Sequence, residues 1–338
     1  MNILNTEIVF RGHPDKLADQ ISDSILVEYL KIDKNAKVNV DVVGGGGTVF
    51  ITGEAYASRH VDIPEVVKNM LADVGCCPNA DIVDEVIQED LDAFQDLPVN
   101  LEDFENVFYG YACNETDELL PKGMVILQEI AKAYEKLRKR DNRFLADGKV
   151  RMEGLYNEQG DLIRIISMDI NHQNKGIDND DIDEIMREMV LDVVNKYDVQ
   201  LDELVLNSFG AYKIGGFDRD TGLTGRKLEI DNYHGYFPSG KMTLSGKNLY
   251  SIRSAAYKAR QIAKDILKRD NLGWVSVQLT YDSTGKQSKP FEILIDSNKG
   301  EINVPQELYE ECSPENIVRD LNLIEEDLVN LSSFGHIQ

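Results

Sequence analysis

The segment FRGHPDKLADQISDSILVEYL, from Phe10 to Leu30, crowds a histidine, a proline, two aspartates and a lysine at the point where an apolar stripe begins. Proline is tolerated at an early helical position, where its missing N–H costs little. Asp15 near a helix start is electrostatically favoured in any protein. His13 reads two ways: as a group satisfying a carbonyl, or as a donor beside phosphate oxygens or a leaving group. Magnesium prefers carboxylate and phosphate oxygens, which would give Asp15 a role as a ligand. Asp15, Asp19 and Asp23 recur every four residues while Leu17, Ile21 and Ile25 turn inward. The stretch is therefore a helix start that faces either solvent or an anion with its metal.

A second group of candidates lies in GGFDRDTGLTGRK, where Gly215, Gly216, Gly222 and Gly225 allow close backbone approach to a ligand. Arg226 and Lys227 supply a planar fork and a point charge, a pairing suited to polyphosphate. The order is neither that of a P-loop nor that of a dinucleotide-binding strand–loop–helix. SGK occurs at Ser239 to Lys241 and again at Ser245 to Lys247, adding two cations to the same irregular stretch, Asn207 to Gly246. A long irregular connection inside a compact domain is functional or disordered, and its aromatic and aliphatic neighbours favour function. Lys149, close behind Asp147 in DGKV, reads by itself as a turn lysine at or just before a strand.

The elements that must position these residues repeat. KVNVDVV and TVFITGEAYA, separated by glycines, predict a hairpin followed by a helix from about Ile63 to Val74. KVRMEGLY and DLIRIISMDI predict a second hairpin, with a helix from about Asp180 to Asn195. WVSVQLTY and PFEILIDS predict a third, followed by a weaker helix from about Pro314 to Val329. Helices over Gly123–Arg138 and Ile252–Leu267 read as interruptions of this scheme. Hairpin then helix, three times, predicts an α+β fold of three similar subdomains, at about 1–100, 101–215 and 216–338, with interleaved boundaries.

The chain of 338 residues carries 60 acids against 36 Lys plus Arg, a formal charge of −24. That balance argues against nucleic acid or an anionic membrane as partner, since both reward a positive surface. It leaves room for a basic pocket around a small anion, with most acids expected on solvated faces. Cys76, Cys77, Cys113 and Cys312 lack the spacing of a disulfide scaffold or zinc site, which predicts thiols in a reducing compartment. No stretch approaches the length of a membrane span and MNILNTEIVF does not read as a signal peptide, so a soluble cytoplasmic protein is expected.

Taken in order, GHPDKLADQISDSIL, GYACNETDELLP, IGGFDRDTGLTGRK and RSAAYKARQIAK, with the final SFGHI, resemble the methionine adenosyltransferases, also called S-adenosylmethionine synthetases. The resemblance implies three similar α+β domains around a pseudo-threefold axis. It implies that ATP and L-methionine are converted to S-adenosylmethionine. The methionine sulfur would attack ribose C5′ and displace tripolyphosphate, which is then hydrolysed to pyrophosphate and phosphate. By resemblance, His13 stabilises the leaving tripolyphosphate, and Asp15 ligates the first of one or two Mg2+ ions. Asp147 and Lys149 lie at the phosphates, Asp220 near ribose and methionine, and Arg226, Lys227 and Lys247 bind phosphate. Glu54 lies near methionine, Asp41 stands at a K+ position, and Tyr212 packs against adenine. The family forms homodimers, often paired as dimers of dimers, with sites between subunits.

The sequence departs from the family mainly at the amino-acid end. DFENVFYGYACNETD places Phe104 and Glu105 where Asp and Gln would stand. The segment from about Gln88 to Asp103 is shorter than the family's mobile loop, with Gln95 in place of its methionine-contacting glutamine. SGKNLYSIRSAAY is one residue short, with Ser251 for a lysine and Ile252 for the aspartate of the second magnesium. NSFGAY removes an arginine at Ala211. Arg219 or Lys241 would then have to serve the methionine pocket. The alternatives are an adenosyltransferase with another acceptor or mainly triphosphate-hydrolysing activity, and a noncatalytic ATP-binding paralogue that partners a true synthetase.

Overall fold

Alternating apolar residues on Lys37–Gly45 and Thr48–Tyr56 form a hairpin whose two-residue turn, Gly46 and Gly47, has φ of 59° and 78°. Such a turn needs positive φ at both positions, which glycine adopts without steric cost. The computed structural model describes residues 1–95, 107–177, 180–240, 243–250, 252–282 and 288–337, the side chains of residues 94, 95 and 252 excepted.

Three stretches of chain share one plan. The first comprises β1 (Asn2–Val9), α1 (Pro14–Ile32), the hairpin β2 (Lys37–Gly45) and β3 (Thr48–Tyr56), α2 (Ile63–Val74), β4 (Asp81–Glu89) and a short α3 (Leu91–Gln95). The second comprises β5 (Val107–Cys113), α4 (Lys122–Arg140), β6 (Phe144–Tyr156), β7 (Leu162–Asn174), α5 (Asp180–Val194) and β8 (Gln200–Leu206). The third comprises β9 (Gly222–Leu223), the short α6 (Leu228–Asp231), α7 (Ile252–Asp270), β10 (Trp274–Thr280) and β11 (Glu292–Ser297). It closes with α8 (Gln306–Glu311), α9 (Pro314–Asp320) and α10 (Leu328–Phe334). The helices that looked like interruptions are members of the repeat: α1, α4 and α7 each have 19 residues and each precede their own hairpin. The helix expected over Pro314–Val329 is instead α9, a 3-10 turn and the start of α10.

The three sheets exchange their first strands in a cycle. β1 of the first stretch pairs with β6 of the second, β5 of the second with β10 of the third, and β9 of the third with β2 of the first, all antiparallel. The strand orders are therefore β1-β6-β7-β8, β11-β10-β5 and β4-β3-β2-β9. Each long helix lies on its own hairpin and on the strand received from elsewhere: α1 on β2 and β9, α4 on β6 and β1, α7 on β10 and β5. Each sheet has its own apolar core against that helix, as with Leu17, Ile21, Ile25, Val38, Val40 and Ile51 in the first. This is the α+β, three-subdomain architecture expected from the repeat.

Helix α1 is buried on both faces. Leu17, Ile21 and Ile25 are in the core as expected, but Asp15, Asp19 and Asp23 are also buried, at 1%, 0% and 0% exposure, not on a solvated face. Asp15 Oδ1 accepts from Leu223 N at 3.1 Å, Asp19 Oδ1 from Gly225 N at 2.8 Å, and Asp23 Oδ1 from Gly246 N at 2.9 Å. A buried charge is tolerated only when paired and hydrogen-bonded. Lys16 accordingly pairs with Asp19 and Asp231, and Arg253 of α7 pairs with Asp23. Burial, with the like charge of neighbouring Asp231, raises Asp19 to about 8 against the pull of Lys16 and the Gly225 N–H. Gly222 permits the close approach, because a Cβ there would lie 2.1 Å from Pro14 O.

Removing one partner of a fully buried pair leaves an uncompensated charge. We expect Asp23→Ala to lower the unfolding free energy by about 3–5 kcal/mol, measured by urea unfolding, and an apolar replacement of both Asp23 and Arg253 to cost less. An Asp23→Ala loss within experimental error would refute this role.

Candidate active site

His13 is the N-cap of α1, with Pro14 in the first turn. Its Nδ1 accepts from Asp15 N at 3.2 Å. With Nδ1 accepting, the ring proton of the neutral imidazole is on Nε2, which is the nitrogen able to donate to a ligand. Nδ1 thus satisfies a backbone N–H and not a carbonyl, and Nε2 is the nitrogen left to donate. Burial, followed by the fields of Lys227, Lys149, Lys16 and Arg226, pushes the imidazole down to about 3.

Four cations gather around this helix start. Arg226 Nε lies 2.6 Å from Asp15 Oδ1 and Lys227 Nζ 4.0 Å from Asp15 Oδ2. Lys149 is ion-paired with Glu7, which also holds Lys227 Nζ at 3.4 Å. Burial opposes ionisation of Glu7, but Lys149 and Lys227 outweigh it and hold the carboxyl below its usual range. Lys149 is not a turn residue: it lies within β6, opposite Val9 of β1, so the strand exchange carries it to the start of α1. Lys16, in the same motif, is spent on the buried pairs behind the site.

Asp147 sits nearby in β6 and accepts from Gly216 N at 2.9 Å, while its own N–H donates to Gln173 Oε1 at 3.0 Å. Burial raises its carboxyl to about 6, against the pull of the Gly216 and Gly148 N–H groups. Tyr212 is covered on one face by the Arg219 guanidinium, 4.3 Å from the ring centroid. Arg219 and Asp220 follow the short turn Gly216–Asp218, and both act electrostatically on Asp147. The resulting surface offers a polar end, Asp147 and Asp220, and a flat face, Tyr212 with Arg219.

The remaining predicted residues form a separate group. Lys247 Nζ donates to Asn39 Oδ1 at 2.5 Å and to Asp41 Oδ2 at 3.1 Å. Glu54, directly across the hairpin from Asn39, accepts from Tyr56 OH at 2.9 Å. Within one chain, Lys247, Asp41 and Glu54 do not join the cluster around His13. The Gln95 side chain, and Phe104, Glu105, Lys241 and Ser251, lie outside the described residues.

Both expected metal positions are carboxylates. Magnesium is commonly held by one or two carboxylates with substrate phosphates completing its shell. Asp15 offers one carboxylate at the start of α1, where magnesium would take the place of Arg226 Nε on Oδ1. No group of three or more His, Cys, Asp or Glu forms a metal cluster among the described residues. Asp41 is likewise paired, with Lys247 Nζ at 3.1 Å, and is the more exposed of the two carboxylates. Sequence reasoning missed Glu7, the hinge between two of the cations. The only signal for it was its place in the alternating NTEIV.

A three-unit α+β fold with a histidine donor, one carboxylate and four cations at a helix start defines a protein with an anion-receptive site. Sequence models of the S-adenosylmethionine synthetase N-terminal, central and C-terminal domains match residues 2–93, 105–212 and 214–338. The chain is 32% identical over 357 aligned residues to the S-adenosylmethionine synthase of Mycoplasmopsis synoviae (strain 53), covering 99% of this chain and 91% of that protein. The chain belongs to the S-adenosylmethionine synthetase family.

Because burial lowers His13 to about 3 while the unfolded chain leaves it near 6.5, the unfolded state binds the extra proton. This contribution to stability is intact above the unfolded value and is lost as pH falls through the window between them. The C2-proton resonance of His13 is expected to stay flat from about pH 5 to 8, and a normal midpoint near 6.5 would contradict the burial argument.

Proposed function

We propose that the protein makes S-adenosylmethionine from ATP and L-methionine, releasing orthophosphate and pyrophosphate. The observation that carries this reading is the convergence of His13, Asp15, Lys149, Arg226 and Lys227 on the start of α1. Sulfur is already a good nucleophile, so direct displacement at ribose C5′ needs aligned reactants and a stabilised leaving group, not a covalent intermediate. Tripolyphosphate leaves with dense negative charge. Preorganised donors placed where that charge develops are worth most. In this reading Nε2 of His13 donates to the oxygen departing from C5′, while Lys149, Arg226 and Lys227 hold the phosphates. Tyr212 receives the adenine, and Asp147 and Asp220 orient the nucleoside end. Glu54 and Gln95 serve the amino acid. Magnesium held by Asp15 would neutralise phosphate charge.

The group around Lys247 belongs to the same reaction if a second copy of the chain completes the site. Leu223, Val43, Phe50 and Val83 stand directly opposite one another across β9, β2, β3 and β4. All four are exposed, at 40%, 44%, 39% and 39%. An exposed apolar row of this kind marks an association surface. Asp41 and Glu54 lie two and four residues along the same hairpin face, beside Lys247. Pairing two copies on this face would bury the row and bring the Lys247 group of one chain toward the His13 cluster of the other. The protein would then act as a homodimer or dimer of dimers. We place it in the cytoplasm: its cysteines are free thiols, and among the described residues no helix is long and apolar enough to cross a membrane.

A second reading, transfer to another acceptor or net triphosphate hydrolysis, is favoured by Ser251 and Ile252 standing where the family has a lysine and an aspartate. Incubation with ATP, magnesium and methionine separates the two. S-adenosylmethionine formation is expected, whereas phosphate release without that product would establish the second reading. His13→Ala is expected to lower kcat by about 10²–10⁴, and Lys247→Ala by about 10². Full activity of the double variant would refute the assignment. In sedimentation, the protein is expected at twice its 38.1 kDa chain mass or a multiple of that. Phe50→Asp is expected to yield inactive monomers, and an active monomer would disprove the shared site.

A further inference from the structure

Beside the cluster at the start of α1 is a cavity of about 330 Å³ whose wall includes Thr6, Glu7, Arg151, Arg226, Lys227 and His234, with Glu229. Two of its cations, Arg226 and Lys227, also reach Asp15. Two features mark it as a site awaiting an anion. The Arg151 side chain, exposed on β6 opposite Glu7, makes no ion pair or hydrogen bond among the described residues. Glu7, the carboxylate nearest to it across the strands, is already occupied by Lys149 and Lys227. The His234 ring, only 2% exposed, lies behind this wall against the Glu7 backbone and closes the cavity from the inside.

We infer that this cavity is a product subsite for orthophosphate, on the side of Arg226 and Lys227 away from the nucleoside. The inference rests on the reading of the protein as a synthetase. In the hydrolysis of tripolyphosphate, the oxygen of water joins the terminal phosphorus and the bridging P–O bond breaks. Pyrophosphate keeps the bridging oxygen, and the two protons of water are shared between the products. Two polyanions are thereby created in contact, and their repulsion in a shielded site is large. A neighbouring basket that shares two cations with the first lets orthophosphate separate without entering bulk water. Arg151 and Arg226 offer forks that bind phosphate through paired N–H donors.

The test is titration of the full-length protein with inorganic phosphate alone, followed by 31P line broadening, for wild type, Arg151→Ala and Arg151→Lys. Steady-state kinetics for ATP are run in parallel. Arg151→Ala is expected to weaken phosphate binding about tenfold, with Arg151→Lys recovering part of the loss and the KM for ATP unchanged within about twofold. Arg151 is exposed, so its loss does not threaten the fold. Unchanged phosphate binding in Arg151→Ala would overturn the inference, as would a KM for ATP that rises in step with the phosphate constant. Arg151-dependent phosphate binding by a protein that makes no S-adenosylmethionine would support the cavity and sink the synthetase reading.

Discussion

The acidic edge of α1 is the constraint on which the rest of the molecule depends. Asp15, Asp19 and Asp23 are each buried and each accept a backbone N–H from the glycine-rich segment that begins at Gly222. Burying carboxylates is expensive, and the expense falls only when every lone pair and charge finds a partner. Lys16 and Arg253 complete that pairing, and the backbone carbonyl of Asp231 ties the same group to the C-terminal segment by accepting from His336 N at 2.8 Å. The helix is thus a polar spine that fixes an otherwise irregular loop. The cations Arg226 and Lys227 beside His13 are carried by the loop it fixes.

The same arrangement explains why an acidic protein can hold a basic pocket. The net charge of −24 is a property of the whole chain, whereas the field at His13 is set by the few groups within reach. Lys149, Lys227, Lys16 and Arg226 all act on that histidine. Glu7 and Asp15 keep these cations from repelling one another before an anion arrives. In the proposed reaction a polyphosphate would take over part of the role of these counter-charges, and the cations would be assembled in advance at moderate electrostatic cost.

Cyclic exchange of first strands gives the three subdomains a common geometry and makes them interdependent. β1 carries Glu7 into the second sheet, where β6 presents Lys149 and Asp147. β9 reaches the first sheet and brings Arg226 and Lys227 with it. The site lies where these exchanges meet. Lys247, by contrast, is bridged to Asn39 on the hairpin of the first sheet. Its side chain is held by Asn39 and Asp41, and in the proposed dimer it would serve the site of the other chain.

Much of this was legible in the residues themselves. The hairpins at Lys37–Tyr56 and Phe144–Asn174 follow from period-two alternation, and the start of α1 from Pro14 and the acids behind it. The pairing of glycines with Arg226 and Lys227 already announced an anion. What local pattern could not carry was any relation between residues some two hundred positions apart. Asp19 and Asp23 look like a solvated stripe until Gly225, Gly246 and Arg253 are brought to them, because spacing records periodicity and not the identity of the facing partner. Lys149 reads as a turn residue until β1 pairs beside it. Glu7, Arg151 and His234 carry no motif, and their roles arise only from strand exchange and burial. The sequence determined the elements and the kind of charge each one bears. Tertiary structure decided which charges meet, because that depends on desolvation and on contacts closed by the whole chain.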